Sequence, residues 1–311
     1  MRILLTNDDG IRAPGIQALY DALTASTPQH DGPLGGPNTS VLVVAPQTVQ
    51  SATSHGITYS EPLMVHDEPV RGLGGGGTRG EAARASVMGV AVDGRPADCV
   101  KLALSTIWPQ RVGTTRPDVL ISGMNAGANC GINVIYSGTV AAAIEGAFLG
   151  VPSIAVSLRL SRGKTRFDLA AQRARHVLER IFAHGGPKPF EVLSINIPTT
   201  EDPAGDGPLA PLGNELAGVA RQDPRAGDPT VMPPIRVCPM NVHGLIDRYE
   251  RRVSPGGDAY YWPAGHGLDF HDTDPGSDVD LLMSGCITVT PLTFDLTRHA
   301  TIDLWRDALA T

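Results

Sequence analysis

Short apolar runs alternate with stretches of helical spacing along the first two thirds of the chain. Residues 2–6 (RILLT) form one such run, bounded by Asn-Asp-Asp-Gly, and are predicted to be a buried strand. Pro14-Gly15 then opens a helical pattern in which Ile16, Leu19, Tyr20 and Leu23 share a face. A polar loop leads to VLVVAP, a second buried strand. Strand, helix, strand implies parallel strands joined by a right-handed crossover. PDVLISG (117–123) is a third strand, followed by a helix from about Thr139 to Leu149 that Gly150 and Pro152 stop. PSIAVSL, a helix over 167–183 and the strand EVLSINIP continue the alternation. Unbroken apolar runs belong to strands covered on both faces. The order therefore predicts a three-layer α/β/α, Rossmann-like fold around a mostly parallel sheet, occupying residues 1–198.

After Pro198 the pattern fails. Residues 199–234 are rich in Pro, Gly and Asp, and read as a loop insertion. Two more insertions are predicted near 28–39 and 67–90; the wider stretch 65–95 contains GLGGGGTRG and reads as a mobile flap. From 235 to 311 the chain predicts a region returning to the core. It has alternating segments (IRVCPMNV, AYYWPAG, CITVTPL) suited to antiparallel strands or hairpins, and a closing helix with Ile302, Trp305 and Leu309 on one face. Trp262 and Trp305 read as core or interface anchors, and DRYERR (247–252) as a solvated face or subunit rim.

Composition narrows the partners. With 311 residues, 41% hydrophobic and 18% charged, the chain has the profile of a globular protein. A net charge of −7 argues against a nucleic-acid backbone as partner. A small anion remains possible where local groups hold it. Cys99, Cys130, Cys238 and Cys286 lie far apart and form no C-x-x-C, so they read as reduced thiols of a cytoplasmic protein. No run has the length of a membrane span.

Three stretches carry candidate chemistry. Asp8-Asp9 end the first strand, where ligands of open α/β sheets sit. Both carboxylates face one site only if the backbone turns there, which Gly10 permits. A divalent cation would relieve their repulsion; a helix cap and a solvated residue are the plainer reading. In ISGMNAGANCGINVIYSGTVAAAIEG (121–146), Gly123, Gly127 and Gly131 recur every fourth residue. The spacing is neither the G-x-G-x-x-G dinucleotide fingerprint nor a P-loop, which disfavours an NAD-type oxidoreductase. Ser137-Gly138-Thr139 open the Ala-rich helix, as a phosphate seat or as a plain N-cap. Ser51 lies in a polar loop after the second strand, and His55 reads as an ordinary surface or core histidine.

These motifs, LLTNDDGIRAPGI and ISGMNAGANCGINVIYSGTVAAAIEG, with GRPADCVKLAL (94–104) and VTPLTFDLT (289–297), resemble the SurE family of stationary-phase survival proteins, metal-dependent 5′-nucleotidases. The resemblance spans most of the chain outside the insertions. It implies one Mg²⁺ or Mn²⁺ held by Asp8, Asp9, Ser51 and Asn125, with phosphate bound by Asn129, Ser137, Gly138 and Thr139. The family's serine usually stands in an Arg-Ser-Gly context; here it is Gln50-Ser51-Ala52, with Ser54 as the nearby substitute. Hard oxygen donors of this kind suit Mg²⁺ or Mn²⁺. Asp8 and Asp9 are the catalytic candidates, orienting or deprotonating a water. A carboxylate nucleophile is disfavoured by the lack of D-x-D-x-T. The activity implied is an acid-phosphatase-like 5′-nucleotidase. It would act on nucleoside 5′-monophosphates, with 3′-monophosphates and short polyphosphate as further substrates, in a homodimer or homotetramer built through the C-terminal region. A non-catalytic nucleotide-binding regulatory module with the same site is the alternative.

Overall fold

In the computed structural model, which describes residues 1–70, 87–161, 163–201, 227–264 and 267–310, a nine-stranded sheet runs through the molecule. In chain order the elements are β1 (Arg2–Thr6), α1 (Pro14–Thr24), β2 (Ser40–Pro46), β3 (Val65–Pro69), β4 (Met88–Val92), α2 (Pro96–Leu102) and α3 (Trp108–Val112). A π-helical turn, Ala103–Ile107, joins α2 to α3. There follow β5 (Val119–Ala126), α4 (Asn133–Tyr136), α5 (Gly138–Phe148), β6 (Ser153–Leu158), α6 (Phe167–Ala183) and β7 (Val192–Ile197). The last part holds β8 (Ile235–Val237), β9 (Arg248–Val253), β10 (Ala259–Ala264), α7 (Asp278–Met283), β11 (Ile287–Leu292) and α8 (Ile302–Leu309).

The sheet order is β3-β4-β2-β1-β5-β6-β7-β11-β8. Strands β4, β2, β1, β5, β6 and β7 are parallel neighbours, and β3 and β11 flank them antiparallel. Helices α1 and α6 pack on one face, and α2 and α5 on the other, each layer closing its own apolar cluster. The chain leaves β1 toward β2 on one side, while β5 lies on the other. Their carboxyl ends therefore open a crevice at the point where strand order reverses.

Sequence and structure agree on β1, α6 and the three-layer architecture, and differ in three places. The stretch 65–95, expected to be an inserted flap, contributes β3 and β4, and β4 lies inside the sheet beside β2. Its glycine-rich centre falls among residues 71–86, outside the described residues, as does 202–226 of the other insertion. IRVCPMNV supplies only the short strand β8, parallel to β11 rather than antiparallel. Trp262 and Trp305 are not core residues of this chain: both are exposed, on the β9–β10 hairpin and on α8.

Close backbone approach fixes α1. A Cβ on Gly15 would lie 2.1 Å from the Met124 carbonyl oxygen of β5 and 3.4 Å from the Phe167 ring. Gly15→Ala is accordingly expected to lift α1 from the sheet and cost about 1–3 kcal/mol, read as a lower midpoint in thermal or chemical unfolding.

Candidate functional site

β1 delivers Asp8 and Asp9 to the crevice, and the backbone turns at Gly10, whose φ of +97° is costly for any residue with a side chain. Asp8 is 5% exposed. The Thr139 hydroxyl, one residue into α5, donates to Asp8 Oδ1. Asp9 is half-buried and accepts from the Ala126 N–H of the glycine-rich loop at 2.8 Å. Gly138 is glycine because Asp8 comes so close: a Cβ there would meet Asp8 Cβ at 2.9 Å and Asp8 Oδ2 at 3.0 Å.

Burial pushes the Asp8 carboxyl up to about 6; the Thr139 bonds pull against this and the charge of Asp9 adds to it. Asp9 is also raised, by burial, with the Ala126 bond opposing. Among the described residues no cationic side chain pairs with either carboxylate. Two desolvated like charges without a counter-charge fit a bound cation, which would favour both ionised forms.

A cavity of about 360 Å³ collects Asp8, Asp9, Ser51, Asn125, Asn129 and Ser137. Ser51 is exposed and its hydroxyl bonds no described residue, whereas Ser54 Oγ donates to the Ile135 carbonyl at 2.8 Å. Of the two serines, Ser51 is the free one. Asn125 donates its amide N–H to the Gly127 carbonyl at 2.7 Å, leaving Oδ1 as an acceptor in the cavity. The oxygen set fits a hard divalent cation in donor type. The described residues contain no cluster of three His, Cys, Asp or Glu that would suit a softer metal.

Phosphate candidates divide. Ser137 caps α5, accepting from the Val140 N–H at 3.1 Å, and it also lines the cavity. Asn129 is fixed twice over: its amide donates to Ser157 Oγ at 2.8 Å and its backbone pairs with the Asn196 side chain. Thr139 departs from expectation. It is fully buried, does not line the cavity, and its hydroxyl serves Asp8. A hydroxyl at the first turn of a helix gave no sequence signal for which acid it would meet.

Other positioning groups escaped the sequence reading. Buried Asp98 of α2 holds the loop bearing Ser51 by accepting from the Thr58 N–H at 2.9 Å and the Thr58 hydroxyl at 2.7 Å. His55 is more than an ordinary histidine: Nε2 lies 2.8 Å from buried Glu145 of α5, which also pairs with Lys101 at 3.1 Å. Burial raises the Glu145 carboxyl, but the His55 and Lys101 bonds outweigh it and hold it below the usual range. The His55 ring also stacks on Phe148. Buried Asp278 accepts from the backbone N–H groups of Gly131 and Asn241, tying the glycine loop to the C-terminal region. Each is a lone acid with at least one partner 40 or more residues away in sequence.

Comparison with known proteins completes the description. A family model described as Survival protein SurE matches residues 3–214. The 5′-nucleotidase SurE of Syntrophobacter fumaroxidans (strain DSM 10017 / MPOB) is 38% identical over 303 residues, 97% of each chain. That of Rhodopirellula baltica (strain DSM 10527 / NCIMB 13988 / SH1) is 38% identical over 315 residues, covering 99% of this chain and 98% of its own. The crystal structure of the SurE protein from Aquifex aeolicus is similar with a TM-score of 0.68 and 27% identity, covering 99% of both chains. With well over half of its length matched by that model, and relatives alike from end to end, the chain belongs to the SurE family.

Proposed function

We propose that this protein is a divalent-metal-dependent phosphomonoesterase that hydrolyses nucleoside 5′-monophosphates to nucleoside and phosphate. The observation that carries the reading is the Asp8–Asp9 pair, buried and half-buried and without a cationic partner among the described residues, in one cavity with Ser51, Asn125 and Ser137. Its relatives' name, 5′-nucleotidase, supplies the substrate class. Activity on 3′-monophosphates and short polyphosphate belongs to the same proposal, since the site addresses the phosphate.

Asp8, Asp9, Ser51 and Asn125 would hold Mg²⁺ or Mn²⁺ through oxygen atoms. When bound, the cation neutralises the carboxylates and the phosphoryl oxygens as a Lewis acid. The residues do the rest. Ser137, the Gly138 backbone and Asn129 seat the phosphate at the start of α5, whose positive end favours an anion. Thr139 keeps Asp8 in one orientation. Asp9 or Asp8 orients a water in line with the ester oxygen and accepts its proton. The new P–O bond forms as the bond to the 5′-oxygen breaks, and the nucleoside leaves as its alcohol after taking up a proton.

The proposal includes self-assembly through the C-terminal region. Tyr249, Tyr260, Tyr261 and Trp262 of the β9–β10 hairpin and Trp305 of α8 are exposed apolar surface in the single chain. β8 and β11 belong to the main sheet, whereas β9 and β10 form a separate two-stranded one.

Asp8→Asn tests the centre. It removes a costly buried charge and keeps an acceptor for Thr139. In EDTA the variant is expected to be more stable by about 1–3 kcal/mol, while kcat/KM on AMP with Mg²⁺ or Mn²⁺ falls by about 10³-fold or more. Retained turnover in the variant, or turnover by the parent in EDTA, would remove the reading. Mn²⁺ titration by calorimetry separates the serines. Ser51→Ala is expected to weaken binding by about 10–100-fold, Ser54→Ala by less than about three-fold, and the reverse order would move the ligand to Ser54. Replacing Tyr261 and Trp262 together by serine is expected to shift the sedimentation coefficient to a smaller species; an unchanged value would take the hairpin out of the interface.

A further inference from the structure

The cavity that holds the carboxylates is not lined by polar groups alone. Tyr136, Leu160 and Leu268 line it as well. Tyr136 is 52% exposed and Leu160 40%, a flat ring and a branched side chain open to solvent in the same lining as the Asp, Asn and Ser side chains. The phenolic hydroxyl bonds no described residue. We propose that these three residues form the nucleobase subsite, with the base stacked on the Tyr136 ring and enclosed by Leu160 and Leu268. The inference rests on the nucleotidase reading and adds to it the residues that recognise the base.

Tyr136 directly precedes Ser137, so the ring and the phosphate seat are adjacent along the chain, leaving the ribose to bridge them. Local bonds hold the subsite in place. The Tyr136 carbonyl accepts from the Ser54 N–H at 3.1 Å, which ties the ring's origin to the loop carrying Ser51. Asn133, on the same short helix α4, donates to the Gly267 carbonyl at 2.5 Å, which brings the neighbouring Leu268 to the cavity. A ligand with a doubly charged end and a flat aromatic end matches a cavity lined by both kinds of group. Its volume is within the range of small-ligand sites, roughly 300–1,000 Å³.

A second cavity, of about 520 Å³, offers Val49 and Phe167 and is the competing location. It shares only Asp9 and Ala126 with the first and contains none of Asn125, Asn129 and Ser137. The hydrogen bond from Ala126 N–H to Asp9 stands at this shared wall. A nucleotide with its phosphate at Ser137 has Tyr136 in the same cavity, whereas Phe167 lines the other one.

The test compares AMP with ribose 5-phosphate, which keeps the phosphate and sugar and lacks the base, in the full-length protein with Mn²⁺. Tyr136→Ala is expected to raise KM for AMP about ten-fold relative to KM for ribose 5-phosphate, and Tyr136→Phe to restore the parent ratio. Equal changes for both substrates, or none, would overturn the subsite. So would Phe167→Ala shifting the ratio while Tyr136→Ala does not. If the parent hydrolyses neither compound, the nucleotidase reading fails separately. The same AMP to ribose 5-phosphate ratio, taken from calorimetric dissociation constants, then decides whether Tyr136 binds the base.

Discussion

Beneath the first turn of α5 the Asp8 carboxylate gives up its water to a shell of protein, and the rest of the site is arranged around that contact. A buried carboxylate is costly unless it is bonded and counter-charged. The Thr139 bonds supply part of the first requirement and the helix's positive end contributes to the second. Neither suffices, since the carboxyl is still raised to about 6. The approach is possible only because position 138 carries no side chain. It also demands that α5 hold its place along the sheet. The helix is rich in alanine, buried along most of its length, and pinned near its far end by Glu145 to Lys101 and His55.

The same economy of partners positions the flexible-looking parts. The loop carrying Ser51 places Ala52 and Ser54 at φ of 55° and 52°, a region that residues with side chains seldom occupy. Side chains anchor it to the elements around it: Ser54 to Ile135, His55 to Glu145 and Thr58 to Asp98. The glycine loop is fixed by Asn196 and Ser157 from below and by Asp278 from the side. Buried acids thus act as anchors for backbone N–H groups, which lets two irregular segments meet with the precision that catalysis by positioning requires. A bonded network of this type rigidifies a site only when every member is satisfied. Removing one acid would therefore loosen a segment rather than a single contact.

Much of this was legible in the chain before folding. β1, β2, β5, β6 and β7 are apolar runs buried on both faces, and periodicity reports that directly. Asp8, Asp9 and Gly10 were legible as a conflict: like charges at the end of a buried strand, relieved by a turn. What stayed hidden depended on tertiary route. MGVAV is an internal strand, yet it borders a glycine-rich segment that masks its period; VHDEP pairs on an edge, where polar side chains meet water and leave no apolar signature. The direction of β8 is set by β11, some fifty residues later, and no local pattern encodes it. Thr139, Glu145, Asp98 and Asp278 are single polar residues whose meaning lies in partners that only the fold brings near. The resemblance named the ligand candidates; it did not say that Thr139 would turn toward Asp8 or that His55 would clamp a loop.

The cavity carries an energetic tension that its scaffold must absorb. Uncompensated carboxylates, strained residues in the Ser51 loop and exposed Tyr136 and Leu160 each weigh against the isolated fold. All lie at the carboxyl ends of β1, β2, β5 and β6 or in the segments that follow them, at or near the reversal of strand order. A crevice exists there because the connecting segments diverge, so such groups can gather without cutting a void into the packed layers. The two apolar clusters on either side of the sheet remain continuous around it. Separation of this kind explains why residues that weigh against the fold at the crevice need not unfold it. The parallel strands supply the stability and the segments beyond their ends hold the strain. A cation, and then an ester with a charged and a flat end, would each relieve a different part of it.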